Sequence, residues 1–397
     1  MKKKVVLAFS GGLDTSFCVK YLSEEKNLEV HTAIVQTGGF SEEELQHIEQ
    51  QAIKLGSASH TCLDVTQKYY EQCLKYLVFG NVLRYNTYPL SVSAERVFQA
   101  MAIADYANQI GAQTIAHGST GAGNDQIRFD MVFHIMVPNI EIITPIRDEK
   151  LSREDEIEYL KKKGIEQSWE KAKYSINKGI WGTSVGGVET LTSEAPLPEE
   201  AYPTQQSKDS SEKITLTFTE GELTGINGQP YAPVEAIQQL EKIAAPYGIG
   251  RDIHVGDTII GIKGRVGFEA AAPMVIIKAH HTLEKHTLTK WQLYWKDQLA
   301  NWYGMLVHEG QMLDPVMRNV ETFLADTQKT VTGEVDVELA PYRFQVLGIR
   351  SPHDLMSSSF GAYGEMNNAW TGEDARGFAK ILSNQTMIFS KVNKQND

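Results

Sequence analysis

The stretch VVLAFSGGLDTS, residues 5–16, decides the fold of this chain. An apolar run meets two adjacent glycines, Gly11 and Gly12, and then an aspartate and two hydroxyl residues before a helix-like segment begins. Adjacent glycines allow positive φ angles and a close approach of the backbone, and the first N–H groups of a helix have no partner within that helix. With the helix dipole these groups attract anions. The stretch therefore predicts a strand, a phosphate-binding loop and a helix.

Strand-like and helix-like segments alternate over the N-terminal part of the chain. The strand-like runs lie at residues 5–9, 28–35, 60–65, 113–117 and 141–144, and the helix-like segments, each with a serine N-cap, lie at 41–55 and 93–110. Such a βαβ rhythm implies a parallel sheet with helices on both faces. Ligands of these sheets bind beyond the carboxyl ends of the strands, so we expect the site there.

The pattern changes near residue 168. The segments that follow are strands at 213–218 and 334–339, a hairpin turn at 220–228, helices at 234–245 and 287–307, and a final helix at 374–391. They indicate an α+β region followed by a helical tail. We therefore predict an α/β chain with three parts: a parallel-sheet nucleotide-binding domain at 1–166, an α+β domain at 167–360, and a C-terminal helical tail at 361–397.

Composition limits the classes of function. Lys and Arg number 38 against 50 Asp and Glu, a net charge of 38 − 50 = −12, which argues against a nucleic-acid surface. The sequence contains no apolar run of about 18 residues or more, so no membrane span is expected. The N-terminal apolar segment is too short for a signal peptide, and the three cysteines lack metal-ligand spacing. We expect a cytoplasmic protein with small-molecule partners and no metal site of its own.

Three other patterns are interpreted as structural. His280 and His281 are adjacent, and on a regular strand adjacent side chains point to opposite faces, so they would not share a metal ion. Aromatic and aliphatic residues recur at helical spacing within 287–307, which predicts a helix buried in the core or against another subunit. These residues are Trp291, Tyr294, Trp295, Leu299, Trp302 and Leu306. The cysteines, Cys18, Cys62 and Cys73, are expected to be buried small apolar groups.

A second glycine-rich loop follows the strand-like run at 113–117 and reads HGSTGAGNDQIRF, residues 117–129. Its glycines expose backbone donors, and Arg128 offers a planar fork for a carboxylate. Asn124 can donate and accept hydrogen bonds, and Asp125 can accept from an ammonium group. The loop can therefore hold a zwitterionic amino acid beside a nucleotide.

The two loops together resemble the argininosuccinate synthase family, and the first resembles the SGGxDS loop of the N-type ATP pyrophosphatases. Weaker matches are Tyr88, SAER at 93–96, YSI at 174–176, WGTS at 181–184, GIGR at 248–251 and VTGEV at 331–335. The resemblance implies a ligase of arginine biosynthesis that joins citrulline to aspartate through a citrullyl-adenylate and splits ATP to AMP and pyrophosphate. It also implies Mg²⁺ on the β- and γ-phosphates and a homotetramer, with 167–360 as the synthetase and multimerisation domain and 361–397 as the oligomerisation tail.

The resemblance further implies the site residues. ATP would contact Ala8, Phe9, Ser10, Gly11, Gly12, Leu13, Asp14, Thr15, Ser16, Val35 and Gly118. Aspartate would contact Thr120, Asn124 and Asp125, and citrulline would contact Tyr88, Ser93, Asn124, Arg128, Ser175 and Ser184. Asp14 and Asp125 are the candidate catalytic residues, because either could reach the nucleotide-bound Mg²⁺.

The sequence departs from the family pattern at two positions that the resemblance assigns to citrulline. An acidic residue and a tyrosine are replaced by Gly256 and Phe268. A buried ammonium group without a carboxylate is costly. We favour compensation by Asp257, with Glu269 as a second candidate. The alternative is an N-acylated citrulline, which has a neutral amide in place of the ammonium group.

One alternative belongs to another class of protein. A non-catalytic sensor of ATP would use the first loop alone. Such a protein would not need the Asn, Asp and Arg side chains of the second loop, and it would bind ATP without releasing pyrophosphate.

Overall fold

The computed structural model describes residues 2–165, 169, 173–357, 361, 363–365 and 369–394. The chain divides into two compact units, residues 1–352 and residues 353–397. The strands are β1 Lys4–Ala8, β2 Glu29–Gln36, β3 Ser59–Asp64, β4 Thr114–His117, β5 Glu141–Ile143, β6 Ser175–Gly179, β7 Gly182–Gly186, β8 Glu212–Thr219, β9 Glu222–Ile226, β10 Gln229–Pro230, β11 Arg251–Asp257, β12 Lys263–Glu269, β13 Gly333–Ala340 and β14 Arg343–Arg350. The helices of the first unit are α1 Leu13–Lys20, α2 Glu42–Lys54, α3 Thr66–Tyr69, α4 Lys75–Phe79, α5 Glu95–Ile110, α6 Asp125–Met136, α7 Pro145–Asp148, α8 Arg153–Lys162, α9 Pro233–Ala244, α10 Ala271–Thr287, α11 Lys290–His308 and α12 Pro315–Thr327.

The N-terminal strands form a five-stranded parallel sheet in the order β3-β2-β1-β4-β5. The predicted α/β fold with a parallel sheet is confirmed. The chain leaves β1 toward β2 and later returns to β4 on the other side of β1, so the strand order reverses between β1 and β4. At the carboxyl edge Ala8 of β1 pairs with His117 of β4. The two glycine-rich loops therefore leave the sheet side by side, where such folds bind ligands.

Two antiparallel sheets complete the first unit, in the orders β11-β12-β7-β6 and β10-β9-β8-β13-β14. The strands expected at 213–218 and 334–339 are present as β8 and β13. The single turn expected at 220–228 is wrong, because this segment contains β9. Its two ends turn instead, with positive φ at Glu220 and Gly221 and again at Asn227 and Gly228.

Local sequence explains where the helices next to the parallel sheet begin. Ser41 caps α2 by accepting a hydrogen bond from the Glu44 N–H, and the Glu44 carboxylate accepts one from the Ser41 N–H. This reciprocal pair satisfies two otherwise free donors. Helix α1 begins after Gly12 and buries Leu13 and Phe17 in the core that lies against one face of the sheet.

The segment 271–287 corrects the interpretation of the histidines as strand residues, because it forms α10. His280 is fully buried, where Nδ1 contacts Asn81 Oδ1 (2.6 Å) and Nε2 contacts Gln328 Oε1 (2.8 Å). Its hydrogen bonds therefore hold the core together. Among the described residues, no group of three His, Cys, Asp or Glu side chains is placed to hold a metal ion.

Several expectations about burial are also corrected. Cys18 and Cys73 are buried as expected, but Cys62 is exposed. Helix α11 packs one face in the core, and its other face carries aromatic side chains that are between 54% and 64% exposed. They are Trp291, Tyr294, Trp295 and Trp302. These side chains are not buried in the core, and their burial against another subunit stays a prediction. Within the described residues, no helix has the length and apolar character needed to cross a bilayer.

The described residues of the second unit form two α-helices, α13 Gly372–Leu382 and α14 Asn384–Asn393, and one 3₁₀ helix, Leu355–Ser357. The single helix expected at 374–391 is therefore divided at Ser383. Thr371 begins α13 by accepting from the Asp374 N–H, while the Asp374 carboxylate accepts from the Thr371 N–H. This capping pair defines the start of the tail helices.

Candidate active site

The loop between β1 and α1 has the geometry of an anion site. Gly11 adopts a φ of +79°, and a Cβ atom there would lie 3.1 Å from Gln51 Oε1. Gly12 is the N-cap of α1 and supplies no side-chain hydrogen bond, so the first N–H groups of the helix stay available. The Thr15 hydroxyl donates to the Gly12 carbonyl oxygen (3.3 Å) and stabilises the turn. Backbone donors and the positive end of the helix dipole thus converge at one point.

The loop after β4 approaches this turn most closely at Gly118. A Cβ atom on Gly118 would lie 3.2 Å from Thr15 Cγ2 and 3.3 Å from Asp14 Cβ, so a glycine allows the close approach. His117 is fixed beside it. The Ser119 N–H donates to His117 Nδ1 (3.3 Å), which leaves His117 Nε2 to donate to Asp130 (2.9 Å). The two loops therefore meet across the crevice between β1 and β4.

A cavity of about 760 Å³ opens between these loops, a size suited to a small-molecule ligand. The nucleotide residues predicted from the sequence that line it are Ala8, Phe9, Ser10, Gly12, Leu13, Asp14, Thr15, Val35 and Gly118. Gly11 and Ser16 are not part of the lining. Gln51 Nε2 donates to the Gly11 carbonyl oxygen (3.0 Å) and to the Ser16 hydroxyl (3.1 Å), so both residues support the loop from α2.

A smaller cavity of about 240 Å³ lies beside the larger one. The predicted substrate residues that line it are Tyr88, Ser93, Asn124, Asp125, Arg128 and Ser184. The other two lie elsewhere: Ser175 lines the larger cavity, and Thr120 is exposed in the loop after β4. The structure thus brings together side chains from the segment before α5, from the start of α6 and from β7, which are separated by up to 96 positions in the sequence (88 to 184).

Three residues, Arg96, Asp125 and Asn177, line both cavities and form a shared wall. Arg96 Nε donates to Asp125 (3.1 Å), and Arg96 Nη2 donates to Asn177 Oδ1 (3.1 Å). The other oxygen of Asp125 accepts from Arg128 Nη1 (3.1 Å). Burial alone would raise the pKa of Asp125, but Arg96 and Arg128 outweigh burial and lower the pKa. Asp125 is therefore ionised, with both oxygens directed by arginines.

Two buried polar atoms of the smaller cavity have no hydrogen-bond partner within the described protein. One is the Ser93 hydroxyl, which does not cap α5, because the N-cap is Ala94. The other is Nδ1 of His308, whose Nε2 donates to the Asp257 carbonyl oxygen (3.1 Å). Burial, with Arg128 and Arg84 adding to it, lowers the pKa of His308 to about 4, so the imidazole is neutral. Buried polar groups are normally satisfied, so these two atoms indicate a polar ligand.

Sequence reasoning missed several residues of the cavity walls, and five of them in the smaller cavity have guanidinium, imidazole or amide side chains. They are Arg96, Asn177, His254, Arg265 and His308. Arg96 could have been found, because it ends the SAER segment three positions after Ser93, on the same face of a helix. The others lie on β6, β11, β12 and α11, and their approach to the cavity depends on tertiary packing. No local pattern marks them.

Helix α8 adds a second carboxyl group beside the phosphate loop. Glu156 is 3% exposed, and burial, followed by the nearby charge of Asp14, raises its pKa to about 8. One of its oxygens is buried without a partner. At neutral pH Glu156 is therefore protonated, whereas in an unfolded chain it is ionised above its ordinary pKa of 4.5. The folded state loses stability from this group as the pH rises toward about 8.

Replacing Glu156 with glutamine is expected to remove this pH dependence. Glutamine keeps the shape without the titrating proton, so the free energy of unfolding of the variant should exceed that of the parent by roughly 1–3 kcal/mol at alkaline pH. The two should converge toward pH 5. Urea unfolding from pH 5 to 9 measures the difference. Glu158→Gln, on the exposed face of α8, is the matched control and should give no such trend. A constant difference at every pH would contradict the assignment.

The reversed strand order, the glycine turn at the start of α1 and the cavity beyond it define an α/β nucleotide-binding protein with a site for a second polar ligand. A family model described as "Arginosuccinate synthase N-terminal HUP domain" matches residues 4–166. A second, described as "Arginosuccinate synthase C-terminal domain", matches residues 174–389. The two matches together span most of the chain.

Full-length relatives agree with these matches. The chain is 35% identical over 398 residues to an argininosuccinate synthase of Methanocaldococcus jannaschii, covering 100% of both chains. It is 36% identical over 404 residues to that of Xylella fastidiosa, covering 99% of this chain and 98% of the relative. It is 35% identical over 400 residues to that of Dictyoglomus thermophilum, again covering 100% of both. The chain belongs to the argininosuccinate synthase family.

Proposed function

We propose that this chain ligates citrulline to aspartate at the expense of ATP and forms argininosuccinate, AMP and pyrophosphate, a step of arginine biosynthesis. The shared wall of the two cavities carries the proposal. Because Arg96 and Asp125 line both cavities, a ureido group in the smaller one would lie next to a nucleotide in the larger one. An ATP sensor would not need the second cavity, and membership of a synthase family does not favour that alternative.

In the first step the ureido oxygen attacks the α-phosphorus of ATP, and the bond from that phosphorus to pyrophosphate breaks. The turn at Gly12 and the first N–H groups of α1 would hold the departing phosphates. Asp14 lines the cavity at this turn, and a phosphate-bound Mg²⁺ needs only one or two carboxylates from the protein, so Asp14 fits the role of its ligand. The ion would neutralise charge on the phosphates. Positioning and charge neutralisation dominate this step.

In the second step the aspartate amine attacks the activated carbon, and the bond from that carbon to the AMP oxygen breaks. The amine gives up a proton as the new carbon–nitrogen bond forms. Asn124 and Asp125 line the smaller cavity next to the shared wall and are proposed to hold the attacking amino acid. Asn124 Oδ1 already accepts from the Ile259 N–H (2.9 Å), which orients the amide. Its Nδ2 group can then donate to a substrate carboxylate.

Pyrophosphate release tests the proposal. With ATP and Mg²⁺, a ureido substrate alone should release about one equivalent of pyrophosphate per site, and added aspartate should give continuous release. ATP with aspartate alone should release none. Binding of ATP without pyrophosphate release in the presence of any ureido amino acid, acylated forms included, would contradict the proposed function.

We also propose that the chain self-associates, as a tetramer, through apolar surface on α11 and the tail. Trp291 and Trp302 are 64% and 60% exposed, and Phe378 and Phe389 are 67% and 69% exposed. Apolar side chains exposed to this degree are typical of interaction surfaces. Light scattering of the intact chain would give a single-chain mass if the proposal is wrong. The cytoplasmic location stays a prediction.

A further inference from the structure

The smaller cavity has an excess of positive charge. Arg265 donates only to backbone carbonyl oxygens, those of Glu189, Thr192 and Ala195. Arg84 Nη2 donates to the Asp257 carbonyl oxygen (3.5 Å), and its Nε is buried without a partner. Neither arginine has a carboxylate within ion-pair distance among the described residues. Arg265, which lines the cavity, therefore has no carboxylate partner, whereas Arg84 is not part of the lining and its charge, after Lys263, helps to lower the pKa of Asp257.

The carboxylate of Asp257, which the sequence suggested as a replacement for the missing acid, already has other partners. Asp257 accepts from Lys263 Nζ (2.6 Å) and from the Tyr85 hydroxyl (3.1 Å). Its side chain is 44% exposed, whereas its neighbour on β11, Gly256, is buried, because alternate residues of a strand point to opposite faces. Asp257 lines the smaller cavity together with Gly256, so the compensation favoured from the sequence stays a prediction, but its carboxylate already has a cationic partner in Lys263.

Glu269, the second candidate, does not line the smaller cavity. Gly256 pairs with Gly264 across the ladder, and Glu269 lies five positions farther along β12, about 17 Å away at the usual rise of a strand. Its carboxylate accepts from Arg251 Nε (3.1 Å). Glu269 is thus part of a buried ion pair at the far end of the strand.

His254 occupies the space where a side chain at position 256 would lie. A Cβ atom on Gly256 would be only 2.5 Å from His254 Nε2, so the imidazole and an acidic side chain at 256 exclude each other. The ring stacks on Tyr88 with centroids 4.9 Å apart, which fixes its place. Burial, with Arg84 adding to it, lowers the pKa of His254 to about 4. A neutral imidazole therefore stands where the family pattern has an acid.

We propose that the smaller cavity selects a ureido amino acid whose α-amino group is uncharged, as in an N-acylated citrulline; this inference rests on the proposed function. An α-ammonium group would lose its hydration in a cavity lined by three arginines, and the two carboxylates of the lining, Asp125 and Asp257, already have cationic partners. A neutral amide N–H needs only an acceptor, which the unpartnered Nδ1 of His308 and the Ser93 hydroxyl provide. The acylated substrate keeps its carboxylate and so carries a negative charge that complements the arginines of the lining.

The test compares kcat/KM for pyrophosphate release with citrulline, N-acetylcitrulline and N-succinylcitrulline, each with ATP, Mg²⁺ and aspartate. We expect at least one acylated form to exceed citrulline by on the order of 100-fold. Equal or better use of citrulline would overturn the inference and leave the proposed function intact. No release with any of the three would overturn the proposed function and this inference with it.

Two variants separate selection from general damage. His254→Ala combined with Gly256→Glu frees the space and restores an acid, so the preference should shift toward citrulline by roughly 10-fold or more. Asp257→Asn should leave the ratio between acylated and free substrates unchanged. If Asp257→Asn instead abolishes the use of citrulline alone, Asp257 is the partner of an ammonium group and the inference is wrong. The ratio of substrates is informative even where a variant lowers overall activity.

Discussion

Replacing Arg96 with methionine is expected to lower kcat/KM for pyrophosphate release by about 100- to 1,000-fold. Arg96 Nη1 contacts Glu95 Oε1 (3.0 Å) and Nε contacts Asp125 Oδ2 (3.1 Å), while Nη2 holds Asn177. Glu95 is 1% exposed, and burial, partly offset by Arg96, raises its pKa to about 7. Without the guanidinium, Glu95 would take up a proton and Asp125 would lose one of its two directing cations. Both cavities would be affected, so KM for ATP and for the ureido substrate should rise together.

Two further variants, Arg343→Met and Arg96→Lys, show whether the loss of kcat/KM is specific to the Arg96 guanidinium. Arg343→Met removes an exposed arginine from the other five-stranded sheet and should change kcat/KM by less than about threefold. Arg96→Lys keeps the charge but cannot reproduce the planar fork, so it should recover only part of the loss. A loss below threefold for Arg96→Met, in a variant with the parent's circular dichroism spectrum, would show that the shared wall does not position the substrates.

The second large effect is on stability, at the only buried lysine among the described residues, Lys296. Lys296 Nζ contacts Glu284 Oε2 (3.0 Å) and donates to the Phe79 carbonyl oxygen (3.0 Å), and both charged side chains are 0% exposed. Gln328 Nε2 also donates to Glu284 (2.9 Å). Lys296→Met would leave Glu284 buried without its cation. We expect the free energy of unfolding to fall by about 3–5 kcal/mol, measured by urea unfolding.

A double variant distinguishes the lost ion pair from lost packing. Lys296→Met combined with Glu284→Gln removes both charges, so it should recover a large part of the stability lost in the single variant. Lys285→Met, at an exposed position of α10, is the matched control and should be within about 0.5 kcal/mol of the parent. If the double variant were less stable than the single one, the buried carboxylate would not be the source of the loss.

The parallel sheet could be predicted from the sequence because each of its strands carries its own local signal. Short apolar runs bounded by glycines or polar turns mark β1 and β4, and a serine cap marks α2. The segment 271–287 was treated as a strand although it forms a helix. Its β-branched run, Val275, Ile276 and Ile277, locally favours a strand. In the fold these residues are buried within α10, so tertiary packing overrides the local preference.

The candidate site was also only partly predictable from the sequence. The phosphate loop lies in one stretch of chain, so the composition of residues 10–16 sufficed to find it. His254, Arg265 and His308 come from three distant elements, and only the folded chain places them at one cavity. The role expected for Asp257 stays a prediction, because its side chain lines the cavity but pairs with Lys263 and Tyr85. A shift of one residue along a strand moves a side chain to the opposite face, so only the folded chain shows which partners such a neighbouring acid has.

The shared wall has a thermodynamic consequence for the order in which ligands bind. Arg96, Asp125 and Asn177 form one hydrogen-bonded set that lines both cavities, so a shift of this set toward one ligand alters its contacts with the other. If the bound nucleotide changes the affinity for the ureido substrate by some factor, the bound ureido substrate changes the affinity for the nucleotide by the same factor. Any such coupling between the two molecules would act within a single chain, without any change in subunit arrangement.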